Sequence, residues 1–247
     1  MPTNERLRGS IAAAGLRLHD VAEAAKVDEK TVERWITQGR LPHRVKREKV
    51  VACLGVEPTY LWPELQTDPK TQAASVAELL ELHPSRSAVP HEVWQQLIAN
   101  TREALDVLVY AGTFLFEQHD LGTVIRRKSR EGVRFRILIA DESAPAVLAR
   151  AVEEGTEGGL QARIQLHRRY LDEVADLPGV EVRTHDTTLY NSLFRFDQDL
   201  LVNGHAFGAL AGQSPVMHLR RVPGGRMWDH YMHSFDSVWA AASADKG

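Results

Sequence analysis

Residues 16–42 read LRLHDVAEAAKVDEKTVERWITQGRLP, and no other stretch of the chain restricts its folding as tightly. Val21, Ala22 and Ala25 recur at helical spacing, as do Val32, Trp35 and Ile36. Residues three or four apart share one face of a helix, so each set defines an apolar stripe. Between the stripes Val27-Asp28 interrupts the pattern, and Asp28 is placed to cap the second helix by accepting from the amides of Lys30 or Thr31. Gly39 stands where a helix C-cap belongs, and Pro42 blocks simple continuation. The prediction is two short helices packed through a tight turn.

The pattern extends on both sides. Leu7, Ile11 and Ala14 are helically spaced until Gly15 breaks the run, a fourth helix is expected over 45–54, and Pro58 and Pro63 frame a last turn. Residues 1–65 are thus an all-α unit. Residues 66–87 open with QTDPKTQAAS, polar and without periodicity, and are expected to be a linker. Beyond it the character changes. Helices are expected over 93–105, 121–131, 144–154, 160–174 and 228–242, and strands over 107–110, 134–140, 180–183, 189–196, 200–202 and 216–222. Alternating strands and helices predict an α/β sheet domain over 88–247.

Composition narrows the function classes. The 247 residues are 43% hydrophobic and 26% charged, which excludes a disordered chain. No apolar run approaches the ~18–20 residues that cross a bilayer, and MPTNERLRGS has no apolar signal core, so a cytoplasmic protein without membrane contact is expected. Cys53 is the single cysteine, too few for an internal disulfide or a cysteine-rich zinc site. His230 and His233 are spaced i, i+3 on a helix beside Asp229 without an evident third ligand, so no metal and no cofactor are expected. Neither His-Glu-x-x-His, a P-loop, Gly-x-Gly-x-x-Gly nor Gly-x-Ser-x-Gly occurs. The net charge of −3 hides an asymmetry: residues 1–65 carry eleven Lys and Arg against nine Asp and Glu, and Arg40, Arg44, Lys46, Arg47 and Lys49 stand against only Glu48. Such a cluster is suited to neutralising phosphates, or equally to forming a solvated face.

With Ala22, Val27, Val32, Trp35 and the Gly39…Pro42 exit, residues 4–64 resemble the helix-turn-helix of lambda-repressor/Cro-like (Xre-type) regulators. The resemblance implies that 28–38 is a recognition helix entering the major groove of duplex DNA. Asp28, Glu29, Lys30, Thr31, Arg34 and Gln38 would then lie at the base edges, with Arg34 or Lys30 suited to guanine. Arg17, Arg40, Arg44, Lys46 and Arg47 are expected to position the phosphates. The family often has Gln where Leu18 stands, Gly at Lys26 and Glu at Ile36, so base preference is not inherited.

The order of VLVYAG, GVRFRILIAD, GVEVRTHD and YNSLFRFDQDLLVNGHAFG makes residues 88–242 resemble a phospholipase-D-like domain. Active members carry His-x-Lys followed by Asp five residues after the Lys, the His attacking phosphorus and the Lys holding its oxygens. Here Asn191, Leu193 and Gln198 occupy those places, and none of the eleven histidines is followed two places later by Lys. An amide is no nucleophile and leucine binds no phosphate, so no catalytic residues are expected. What would remain is a pocket for a small anionic effector, drawn from Asn191, Arg195, His205, His218 and Arg220; the plainer expectation pairs Arg195 with Asp197 or Asp199.

Together these readings predict a dimeric, sequence-specific transcriptional regulator on a palindromic operator. One small head makes few contacts, whereas two on a two-fold axis read half-sites about one turn apart. The aromatics Trp228, Tyr231, Phe235 and Trp239 of the last helix are expected to pack on the sheet rather than form the homodimer interface. Two alternatives are a DNA-targeted nuclease or phosphodiesterase, and a scaffold whose head binds a protein.

Overall fold

The computed structural model describes residues 3–65 and 69–244, and the chain divides into the compact units Met1–Gln72 and Ala73–Gly247. The described regular elements of residues 3–65 are all helical: α1 (Glu5–Ala13), α2 (Leu18–Ala25), α3 (Glu29–Thr37), α4 (Arg44–Leu54) and α5 (Pro58–Leu61). The ends are set by local chemistry. Asp28 Oδ1 accepts from the Thr31 amide at 3.0 Å and starts α3, and Gly39, at φ +57°, turns the chain out of it. Lys26 closes α2 in the left-handed region (φ 52°, ψ 57°), where its amide and that of Val27 return to the Glu23 and Ala22 carbonyls. A lysine tolerates this at modest cost, and the Lys46 ammonium steadies the turn by donating to the Lys26 carbonyl at 2.9 Å. Leu7, Val21, Ala25, Val32, Val50, Leu61 and Trp62 are fully buried, with Ala22 and Trp35 nearly so. These helices are held together from within by the stripes that the sequence displays.

The second unit is built on one mixed sheet. After α6 (Pro69–Glu78), within which the division falls, its elements are β1 (Leu79–His83), α7 (His91–Asn100), β2 (Ala104–Leu108), α8 (Thr113–Glu117), α9 (Leu121–Lys128), β3 (Arg134–Ala140), α10 (Pro145–Glu153), α11 (Gly159–Asp172), β4 (Val180–His185), β5 (Asn191–Phe196), β6 (Asp199–Gly204), β7 (Val216–Arg220), α12 (Met227–Ala241) and β8 (Ser243–Ala244). The strand order is β1-β7-β6-β5-β2-β3-β4-β8, with β2, β3 and β4 parallel and the other pairings antiparallel. The fold class is therefore mixed α/β. All five residues of β2 are buried, as expected of a central strand covered on both faces. On one face Trp94 of α7 meets Phe194 and Phe196 edge-on at 5.2 and 6.3 Å between ring centroids. On the other, α12 lays Trp228 and Phe235 against the sheet, both buried, with Tyr231 and Trp239 packed beside them. No helix among the described residues is long and apolar enough to cross a membrane.

Three sequence expectations need correction. The linker over 66–87 is not one. Residues 66–68 lie outside the described residues, but α6 and β1 follow, and β1 pairs with β7 through Leu82↔Met217 and His83↔Val216. Glu78, 1% exposed, accepts from the Met227 and Trp228 amides at 2.8 and 3.2 Å and so caps α12 from 149 residues away. A side chain on Gly225 would overlap that carboxylate. The helix expected over 93–105 stops at Asn100, because the Asp197 carboxylate draws the amides of Arg102, Glu103 and Ala104 into β2 at 2.7–2.9 Å. That strand is Ala104–Leu108 rather than 107–110.

Candidate functional site

On α3 one face is spent on folding: Val32, Trp35 and Ile36 are buried. The opposite face carries Glu29, Lys30, Arg34 and Gln38, all exposed. Their commitments differ. Glu29 pairs with His19 Nδ1 at 3.0 Å. Asp28 Oδ1 caps α3 and Oδ2 accepts from the Thr31 hydroxyl at 3.2 Å, so both side chains serve the helix start. Lys30, Arg34 and Gln38 have no side-chain hydrogen bond or ion pair among the described residues. Among the basic residues expected at phosphates, Arg40 and Arg47 are likewise uncommitted. Arg44 pairs with Glu48 at 3.0 Å, Arg17 leans on Asp20 at 3.6 Å, and Lys46 is tied to the Lys26 carbonyl. The Asp20 carboxyl is held below its ordinary range, first by the Arg17 amide and then by that guanidinium.

Of the five residues expected to share a pocket in the second unit, only His218 and Arg220 meet. Side chains alternate across a strand, so Asn191 and Arg195 face away from Ser192, Phe194 and Phe196. Arg195 enters a buried charge cluster on the α12 face. Its Nη1 donates to Asp106 Oδ2 at 2.9 Å and its Nε to the Asp197 carbonyl at 2.8 Å, while Trp228 covers its guanidinium at 5.4 Å. The expected partners were the Asp197 or Asp199 carboxylates. The register instead puts Asp106 opposite Arg195 on β5 and Arg136 on β3.

His218 and Arg220 lie on the other face, both on Asp199: His218 Nε2 donates at 2.8 Å and Arg220 Nη2 at 2.9 Å. Burial alone would raise the Asp199 carboxyl, but these two bonds and charges outweigh it and hold the group low. The pair borders a cleft of about 500 Å³ that Phe196, Gln96 and Asn100 also line. His205 sits at the far end of the strands, stacked on Tyr110 at 5.7 Å. Its Nδ1 donates to the Leu189 carbonyl at 3.2 Å and its Nε2 accepts from Ser192 Oγ at 3.0 Å. Burial pushes His205 down to about 4, so it is neutral at neutral pH.

At the positions where the resemblance would place a catalytic pair, Leu193 is 1% exposed and aliphatic, and Asn191 is a partly exposed amide in register with Gly204. The flanking aspartates are used structurally: Asp197 organises the start of β2 and Asp199 holds His218 and Arg220. Sequence reasoning missed Arg86, whose partly buried guanidinium lies over the Phe114 ring, Cζ 4.2 Å from its centroid. Nothing in its local sequence signals this, because Phe114 lies on a different element. Among the described residues no group of three or more His, Cys, Asp and Glu is placed to hold a metal ion.

No family model matches the chain, and no curated protein matches it. Solved structures similar to it include TrmBL2, an archaeal chromatin protein described with a novel mode of DNA binding. That likeness has 14% identity and a TM-score of 0.44, covering 88% of this chain and 69% of that one. NucT from Helicobacter pylori is similar at 10% identity and a TM-score of 0.43 over 67% of this chain and 98% of that one. Phosphatidylserine synthase from Haemophilus influenzae Rd KW20 is similar at 14% identity and a TM-score of 0.38 over 69% and 40%.

Proposed function

We propose that the chain is a sequence-specific, DNA-binding transcriptional regulator of the helix-turn-helix, Xre-type class, joined to a phospholipase-D-like domain that has lost phosphodiester chemistry. One observation carries the reading. On α3 the apolar face is fully used by the core, while Lys30, Arg34 and Gln38 on the outer face have no partner among the described residues. Free donors along one short helix are what base edges in the major groove require. Arg40 and Arg47, uncommitted on the next segment, suit phosphates. Asp28 and Thr31 leave the set of base contacts, and Arg44 and Lys46 keep a phosphate role only by sharing their present partners.

Loss of catalysis is supported by side-chain chemistry: the buried Leu193 offers no cation to a phosphate, and the Asn191 amide cannot attack phosphorus. The protein acts as a cytoplasmic homodimer, because a single head buries too few contacts for operator affinity.

Genome-wide mapping of bound sites, then salt titration on the best one, tests the regulator reading. The expected result is affinity that falls with salt while the preferred sequence persists. Binding indifferent to sequence would overturn it. Incubation with plasmid and a generic phosphodiester tests the second half, and turnover abolished by Asn191→Ala would restore the nuclease.

A further inference from the structure

Within the α/β unit, the partly buried Arg86 side chain has no hydrogen-bond or ion-pair partner among the described residues. Ser85 accepts from the Ala88 amide at 3.1 Å and shapes the turn Arg86–Ala88. That turn is seated on the segment between β6 and β7, with the Arg86 amide donating to the Ser214 carbonyl at 3.0 Å and Ser87 Oγ to the Gly212 carbonyl at 2.9 Å. Its guanidinium rests on the Phe114 ring. Among the described residues none accepts a hydrogen bond from it or pairs with it.

The nearby carboxylates are already spent. Glu154 takes Arg150 Nε at 2.9 Å and Arg163 Nη2 at 3.3 Å, and Glu153 takes Arg150 Nη1 at 3.2 Å. Arg150 and Arg163 thus take both carboxylates, and Arg86 is left without one. Burial pushes Arg86 down to about 10, with Arg163 adding to the effect and Glu154 opposing it; it stays protonated at neutral pH. Arg150 meanwhile donates to the Ala206 and Ala209 carbonyls at 3.2 and 2.6 Å, pinning the same segment from the other side.

A partly buried cation without acceptors gains from an anion, and a guanidinium fork matches two oxygens of a phosphate. We propose that Arg86 anchors an anion site for a small phosphate-bearing ligand, at the junction of the Arg86–Ala88 turn, the Phe114 ring and residues 205–214. This rests on the expectation that the α/β unit binds a small anionic effector, and it places that effector away from Asn191, Arg195, His218 and Arg220.

Calorimetric titration of the full-length chain with inorganic phosphate at constant ionic strength, with chloride as control, tests the site. One saturable site is expected, weakened at least about tenfold by Arg86→Gln. Glu154→Gln releases competing charge and is expected to tighten phosphate severalfold. Should Arg86→Gln fail to fold by circular dichroism, the Glu154→Gln shift decides, and its absence overturns the site. Wild-type protein without saturable binding, or Arg86→Gln protein binding as wild type does, also overturns it. A duplex arm separates the sources of phosphate. Unchanged duplex affinity in Arg86→Gln supports a small ligand; a parallel loss assigns the site to the DNA backbone and sinks the proposal. Operator binding that survives while phosphate binding fails removes this site alone and leaves the regulator reading intact.

Discussion

Arg136 and Asp106 face each other across β3 and β2, joined by two parallel bonds, Nε to Oδ1 and Nη2 to Oδ2, each 2.8 Å. Asp106 is fully buried and also receives Arg195, while Asp236 takes the remaining arm of Arg136 at 2.9 Å. Two cations and two anions therefore balance beneath α12. Phe235 and Trp239 cover the Arg136 guanidinium at 4.6 and 5.4 Å. Removing one partner leaves buried charge behind, so Asp106→Ala is expected to destabilise the α/β unit by about 3–5 kcal/mol. Denaturant unfolding followed by tryptophan fluorescence measures this; a loss under about 1 kcal/mol would show that the cluster is solvated.

The cap on α12 makes a second prediction. Gly225→Ala forces the Glu78 carboxylate off the Met227 and Trp228 amides. An unsatisfied buried carboxylate and two lost bonds should cost about 2–4 kcal/mol. Thermal unfolding of Gly225→Ala beside Glu78→Gln checks it, and the amide variant, which keeps one acceptor, is expected to lose less.

The head separates reading from positioning. Arg34→Ala is expected to cost about 1–3 kcal/mol on the preferred operator and to relax preference at one base. Arg47→Ala should weaken all sequences alike and lower the salt slope by about 1. Binding titrations at several salt concentrations distinguish the two, and identical effects on specific and random duplexes would remove Arg34 from base readout.

Asp28 provides the control. Its carboxylate caps α3, so Asp28→Ala should lower head stability by about 1 kcal/mol and leave base preference unchanged. A changed consensus in the mapped sites would return Asp28 to the base contacts.

Acid sensitivity follows from the buried His167 and the partly buried His119 and His205. Burial pushes His167 down to about 3 and His119 and His205 down to about 4, against an ordinary 6.5. Below 6.5 the unfolded chain binds protons that the folded chain refuses, so stability is complete above that pH and declines as pH falls toward 4 and 3. Urea unfolding across pH 4–7 is expected to show a positive slope, flattened in His167→Phe. His167 Nδ1 accepts from the Gly112 amide at 3.0 Å, so that variant also starts from lower stability.

The head was legible because its information is local. Asp28 needs only Thr31 to cap α3, and Val32, Trp35 and Ile36 declare their face by spacing alone. The sheet was legible as an alternation of elements, and Trp228 and Phe235 bury against it as their stripe predicts. The effector set was not. Asn191, Arg195, His205, His218 and Arg220 are close in sequence pattern, yet strand alternation and register send Arg195 to Asp106 and His218 to Asp199, on opposite faces.

Read alone, the amino-acid order determined the helices of the head and most strands of the sheet, where α3 starts and ends, and that a His/Lys pair is missing at 191 and 193; it did not show α6, β1 or α8. Only tertiary structure decided who neutralises whom. Glu78 reaches α12, Asp106 collects two arginines, and Arg86 is left with an aromatic ring and no carboxylate. The reason is physical. Helix spacing and capping are short-range and repeat every few residues, whereas the partner of a buried charge depends on strand register fixed by contacts some 30 to 150 residues apart.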